Sequence, residues 1–243
     1  DALRILRFFR FQARYGRGRP DAAAMAAITD LAALIDRLSV ERVWSELRRI
    51  LVGPNVMETL EQMQASGVLD HVLPEGCDMV RVGRLLACGA PADAVLRLAA
   101  LVAGDVRAVA RRLKLSRADG TALAQIRGDA VPLPGMDVGT LARLLADHAL
   151  RDLLWRTWLC QADRIGQPDM EWDALRHRLE KMPRPVFPLT GRDLVAAGCA
   201  PGVGVGRALA EMRQWWLDKG CVADHAACLR HMRDVLRQVG HNL

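Results

Sequence analysis

Apolar positions recur at three- and four-residue spacing along most of this chain, and no segment alternates strictly between apolar and polar residues. Over residues 1–16, Ile5, Leu6, Phe8, Phe9 and Ala13 occupy one side of a predicted helix. Arg4, Arg7, Arg10, Arg14 and Arg17 fall within an arc of roughly 140° on the other, which gives an amphipathic helix with an arginine stripe. Gly16, Gly18 and Pro20 interrupt it. A second helix is predicted over 21–36, burying Ile28, Leu31, Leu34 and Ile35. Ser39 reads as the cap of a third, through Val43, Trp44, Leu47 and Leu51 to Gly53-Pro54. Further helices are expected over 55–66, 79–88, 91–103, 105–113, from Ser116 to Ile126, and over 138–147, 148–164, 171–181, 191–197, 204–218 and 223–238. Leu73-Pro74-Glu75-Gly76 and Val131-Pro132-Leu133-Pro134-Gly135 separate some of them. The expected fold class is all-α, built from successive helical modules rather than one bundle.

The 243 residues fall into three segments, 1–68, 69–182 and 183–243, the last beginning at the Pro183-Arg184-Pro185 linker. Hydrophobic residues make up 51% and charged residues 26%, a globular balance, and the 5% aromatic content speaks against an all-β sandwich. No run of about eighteen uncharged apolar residues occurs, so no membrane-spanning helix is expected. The chain opens at Asp1 inside a helical pattern, without an apolar leader, and reads as cut from a longer polypeptide.

The net charge of +6 is unevenly placed. Residues 1–50 hold ten Arg against six acids, and residues 184–243 hold seven Arg and Lys219 against five acids, so the middle is close to neutral. Two basic ends suit a polyanion that touches both. The preference for Arg, 31 against 3 Lys, also fits a biased genome.

Six cysteines without a C-x-x-C pair fit a reduced, cytoplasmic protein. Cys221, His225 and Cys228 have the only spacing near that of a zinc site, but helical cysteines in an Ala-rich segment read as small core residues instead. Gly202-Val203-Gly204-Val205-Gly206 lacks the preceding strand of a dinucleotide loop and reads as a bend that frees backbone N–H groups at a helix start. The Asp-His pairs at 70–71, 147–148 and 224–225 stand in the wrong order for a metal phosphohydrolase and read as surface or cap residues. No nucleophile motif, phosphate loop or two-metal carboxylate pair is visible, so no residue is expected to be catalytic and none to bind metal.

Four segments carry a resemblance. Asp1-Ala2-Leu3-Arg4 with the helix to Arg10-Phe11 is similar to the neck motif of bacterial-type CCA-adding tRNA nucleotidyltransferases and their poly(A) polymerase relatives. Ser39-Val40-Glu41-Arg42 with Glu46-Leu47 is similar to the next neck motif of that family. Leu73-Pro74-Glu75, Leu96-Arg97-Leu98 and Leu113-Lys114-Leu115-Ser116 follow. Leu189-Thr190-Gly191-Arg192-Asp193-Leu194, Pro201-Gly202, Gly206-Arg207 and Trp216-Leu217-Asp218 close the series. Val203 departs from the family, which usually has a second proline there. The resemblance implies a neck (1–68), a body (69–182) and a tail (183–243), with a catalytic head outside this chain that binds Mg²⁺, in cis or in trans. It further implies CTP, ATP and tRNA as partners, with CCA addition as the activity and poly(A) addition or headless RNA binding as alternatives.

The chemistry of the neck motif supports this. Asp1 and Arg4, three apart, are neighbours on a helix. A carboxylate accepts hydrogen bonds and a guanidinium donates them. Adenine and cytosine each place an amine donor beside a ring-nitrogen acceptor, whereas guanine and uracil reverse the pattern. The pair can therefore bond ATP or CTP and mismatch GTP or UTP; a plain intrahelical salt bridge is the alternative. Arg7 and Arg10 on the same stripe are suited to meet a triphosphate or to hold the pair in place. Arg42 and Glu46 are expected to pair and brace the neck, and Arg192 and Arg207, at the starts of tail helices, to contact RNA phosphate or lie solvated. Trp155, Trp158, Trp215 and Trp216 are expected in the core.

Overall fold

The computed structural model describes residues 2–18, 20–199 and 202–240, with backbone alone for Val203 and residues 236–240. Asp1 and Pro201, both named above, lie outside the described residues. Among those described, the chain forms fifteen α-helices, one 3-10 helix and a single isolated β-bridge, Cys77 with Val102. The expected all-α class is what is found. No described helix is long and apolar enough to cross a membrane.

The helices are α1 (Leu3–Tyr15), α2 (Ala22–Leu31), α3 (Val40–Leu51), α4 (Val56–Ala65), α5 (Val68–Val72), α6 (Met79–Ala87), α7 (Ala94–Leu101), α8 (Val106–Arg112), α9 (Arg117–Ile126), α10 (Val138–Asp147), α11 (Leu150–Arg164), α12 (Met170–Lys181), α13 (Gly191–Ala196), α14 (Val203–Asp218) and α15 (His225–Gly240). Short polar side chains start many of them. Asp21, Asp78, Asp93, Asp105, Ser116 and Asp137 each accept a hydrogen bond from a backbone N–H of the turn that follows, which satisfies donors the helix itself cannot.

The structure departs from the sequence pattern in places. The second predicted helix tightens after Leu31 into a 3-10 helix, Ala32–Arg37. Three residues per turn bring Ala32 and Ile35 to one side, and both are buried. Leu31, expected inside, is 47% exposed as a result. Ser39 stands at the N-cap of α3 but its side chain accepts no capping hydrogen bond. The short α5, Val68–Val72, lies where the sequence pattern predicts no helix.

The chain divides into two compact units. Unit 1 comprises Asp1–Val131 and Leu154–Trp172, and unit 2 comprises Pro132–Leu153 and Asp173–Leu243. In unit 1 a continuous core runs from Ile5, Leu6 and Phe9 of α1 through Leu47 and Ile50 of α3 and Leu96 to Leu101 of α7, and it includes Trp155, Leu159 and Ala162 of α11. No break in packing marks residue 68: neck and body segments share this core. In unit 2, Leu189, Leu194, Met212, Trp216, Leu217, Cys228 and Met232 form a smaller core. Trp216 donates from Nε1 to the carbonyl of Ala223 at 3.1 Å.

Candidate nucleotide and RNA interface

α1 buries Ile5, Leu6, Phe9 and Ala13, so its arginine stripe faces outward. Its packing partner α3 brings up Glu46, which is only 5% exposed. Glu46 gathers three guanidinium groups. Arg10 Nη1 stands 3.2 Å from Oε2, and Arg7 Nε and Arg49 Nη1 each stand 3.8 Å from Oε1. A buried carboxylate needs such neighbours to offset its desolvation. Three cations on one anion leave net positive charge at the surface. Arg10 is largely covered, whereas the Arg7 and Arg49 side chains keep more than half their surface exposed. Arg7 is thus tethered at one edge and still open to solvent, and Arg4, one turn earlier, is exposed.

This arrangement corrects the expected pairing of Arg42 with Glu46. Glu46 lies on the edge of α3 that meets α1, where Arg7 and Arg10 reach it, and Arg42 is exposed with no ion pair among the described residues. Bracing falls instead to Glu41, which accepts a 2.7 Å hydrogen bond from Lys114 Nζ. That bond is the main reason the Glu41 carboxyl titrates below its ordinary range.

Two further arginines hold the frame, and neither was picked out as functional from sequence. Arg97, 7% exposed, donates from Nη1 to the carbonyls of Leu51 at 2.6 Å and Gly53 at 3.4 Å, closing the C-terminal end of α3. Arg112 grips Glu75 through two parallel bonds of 2.6 and 2.7 Å and also donates to the Val72 carbonyl. The Leu-Pro-Glu motif is thereby tied to α8.

The stripe also continues as aromatic residues. Arg7, Phe11 and Tyr15 follow one another at four-residue spacing, and the Phe11 and Tyr15 rings stack at 6.3 Å with 26° between planes. Arg10 lies over the Phe11 ring at 4.8 Å. Arg10, Phe11, Arg14 and Tyr15 of α1 line a hollow of about 290 Å³ with Arg49, Val52 and Gly53. The 7–11–15 spacing was the signal available for these two rings.

In unit 2, Arg192 lines an open groove of about 930 Å³ with Thr190, Gly191, Val195, Ala196, Gly202 and Val205. Arg207 is exposed in the second turn of α14 and does not line that groove. Gly202 precedes α14 at φ 133°, a conformation that favours glycine. Asp193 accepts from both the backbone N–H and the hydroxyl of Thr190, which lowers its pKa, and lies 3.3 Å from His225 Nε2. His225 is thus turned toward Asp193, and Cys228 lies in the core. No group of three metal-ligating side chains comes together among the described residues. Trp155 and Trp216 are buried and Trp158 and Trp215 partly so, as expected of core residues.

An all-helical protein with arginines anchored at its surface is the class these features define. A family model described as the probable RNA and SrmB-binding site of polymerase A matches residues 19–79. The chain is 28% identical over 236 residues to the mitochondrial CCA tRNA nucleotidyltransferase 1 of Mus musculus, covering 90% of this chain and 52% of that protein. It is 30% identical over 229 residues to the Danio rerio protein of the same name, covering 89% and 52%. A CC-adding tRNA nucleotidyltransferase of Deinococcus radiodurans is 30% identical over 217 residues, covering 87% and 46%. Among solved structures, the Bacillus stearothermophilus CCA-adding enzyme in complex with CTP superposes with a TM-score of 0.69 at 20% identity, over 100% of this chain and 64% of that one. The fold is therefore that of CCA-adding enzymes, and the likeness read from the motifs holds along nearly the whole chain. The chain spans about half the length of the curated relatives it matches.

Proposed function

We propose that this chain is the neck, body and tail of a tRNA nucleotidyltransferase that adds CCA to tRNA 3′ ends. The observation that carries the proposal is its likeness, over about nine-tenths of its length, to proteins named for that activity. In this reading Asp1 and Arg4 present acceptor and donor to the base of CTP or ATP. Arg7, steadied by Glu46, stands beside them toward the phosphates, and Arg192 and Arg207 contact tRNA. The chemistry is attack of the tRNA 3′ hydroxyl on the nucleotide α-phosphate, with Mg²⁺ held by a head domain supplied in cis or in trans. No residue of this chain is assigned to the metal. The expected setting is the cytoplasm, where the six free cysteines stay reduced, although the vertebrate relatives are named mitochondrial.

The test is Arg4→Ala in a polypeptide that carries the head. Discrimination of CTP and ATP against UTP and GTP should fall while tRNA affinity is kept. Unchanged nucleotide choice would refute the template role. The likeness of residues 19–79 to an RNA-binding region of polymerase A makes poly(A) addition the second reading. Sequencing the extended 3′ ends separates a CCA or CC product from an adenosine tract.

A further inference from the structure

The middle of the chain, close to neutral in sum, conceals a basic cleft. α8 and α9 are joined by a tight turn at Lys114, whose φ of 48° is rare for a residue with a side chain. Between the two helices lies an open groove of about 560 Å³, floored by the small residues Ala110, Gly120 and Ala124. Four cations line it: Arg107, Arg111, Lys114 and Arg117. No carboxylate and no aromatic ring is among the lining residues.

The charges here are only partly answered within the protein. Lys114 is bonded to Glu41. Arg107, Arg111 and Arg117 are exposed and carry no ion pair among the described residues. This contrasts with their neighbour Arg112, committed to Glu75. Arg107 and Arg111 are four apart on one helix, so their side chains stand about 5–6 Å apart at their bases. Neutral donors are also present. Gln125 Oε1 accepts from Arg156 Nη2 at 3.0 Å, which leaves its amide NH₂ to donate, and Thr121, an exposed residue, also lines the groove.

We propose that this cleft is a seat for the phosphodiester backbone of an RNA strand, a second contact surface besides the arginines of neck and tail. The inference rests on the RNA-binding reading above and adds a site to it. Unpaired guanidinium groups without intervening acids fit a polyanion. The absence of any ring on which a base could stack makes the contact one with backbone and independent of sequence. The openness of the groove suits a strand passing through rather than an enclosed small anion.

The test compares tRNA binding by the 243-residue chain, the triple variant R107A/R111A/R117A, and the control R84A/R164A/K181A, which removes equal charge from exposed positions of the body segment (69–182) outside the cleft. Binding is followed by fluorescence anisotropy from about 50 to about 200 mM salt. The cleft variant should lose at least about tenfold in affinity at low salt, and its salt slope should become shallower by about one per phosphate contact removed. The control should change neither by as much. All six positions are exposed, and coincident circular-dichroism melts verify folding. A cleft variant that binds like the unaltered chain, or a control that falls equally, overturns the cleft while leaving RNA binding intact. If the unaltered chain itself binds tRNA without salt dependence, the RNA-binding reading fails and the cleft with it.

Discussion

Arg10 of α1 and Glu46 of α3 stand 3.2 Å apart across the junction of the two helices, and Glu46 is almost wholly buried. The sequence separation of thirty-six residues makes this contact a tertiary lock rather than a helix-surface pair. It joins the stripe of α1 to α3, while the buried apolar face of α1 turns that stripe outward. Glu46→Ala leaves Arg10 partly buried without its partner and should lower stability by about 1–3 kcal/mol. A double-mutant cycle with Arg10→Ala, read from urea midpoints, should return a coupling of about 0.5–3 kcal/mol. Additive effects would show that the pair contributes nothing beyond its geometry.

The Glu75–Arg112 pair gives an acid-dependent stability. Hydrogen bonds from Arg112 are the main reason the Glu75 carboxyl is held below its ordinary 4.5. A carboxyl depressed in the folded state contributes stability that is complete above the unfolded value and disappears as pH falls through the folded one. Stability should therefore decline below about pH 4.5, and Glu75→Gln should flatten that part of the profile. Parallel urea-midpoint curves for both proteins, measured as pH is lowered, would count against it.

A side chain at residue 53 has no room. A Cβ on Gly53 would lie 2.6 Å from the Ala13 carbonyl oxygen and 2.7 Å from the Ala13 Cβ. Close by, the Asn55 backbone N–H donates to the same carbonyl and its Nδ2 to that of Gly16. Gly53→Ala should force the end of α1 away and cost about 1–3 kcal/mol. An unshifted thermal midpoint would show that the loop yields freely.

Arg97→Met keeps the length of the side chain and removes its donors. The Leu51 carbonyl at the end of α3 is then left without its bond, at a cost of about 1–3 kcal/mol. Amide hydrogen exchange should quicken first in the last turn of α3. Protection there equal to that of the unaltered protein would assign Arg97 a packing role alone.

Helix positions were legible because the 3.6-residue period is a local signal, whereas of the two serines read as caps Ser116 caps its helix and Ser39 does not. Asp93, Asp105, Ser116 and Asp137 each start the helix their chemistry favours. α5, Val68–Val72, was not visible, since five residues cannot display a period. Partner choice was also hidden. Arg42 and Glu46 are neighbours by spacing, yet Glu46 answers Arg7 and Arg10, which only folding brings near. The cleft at α8 and α9 escaped for a different reason. Charge summed along a segment mixes arginines that acids already hold, such as Arg112, with ones left open, such as Arg111. Asp1 and Pro201 lie outside the described residues, so the base-reading pair and the Pro-Gly step rest on sequence.

Unit 1 is assembled from two stretches of chain, with residues 132–153 between them belonging to unit 2. Its core counts Trp155, Leu159 and Ala162 among its buried members. During synthesis, therefore, residues 1–131 emerge with the wall of that core which Trp155, Leu159 and Ala162 cover still open, until α11 has left the ribosome. A stalled or proteolysed chain ending in that interval would expose this wall, and it is the species a chaperone would meet.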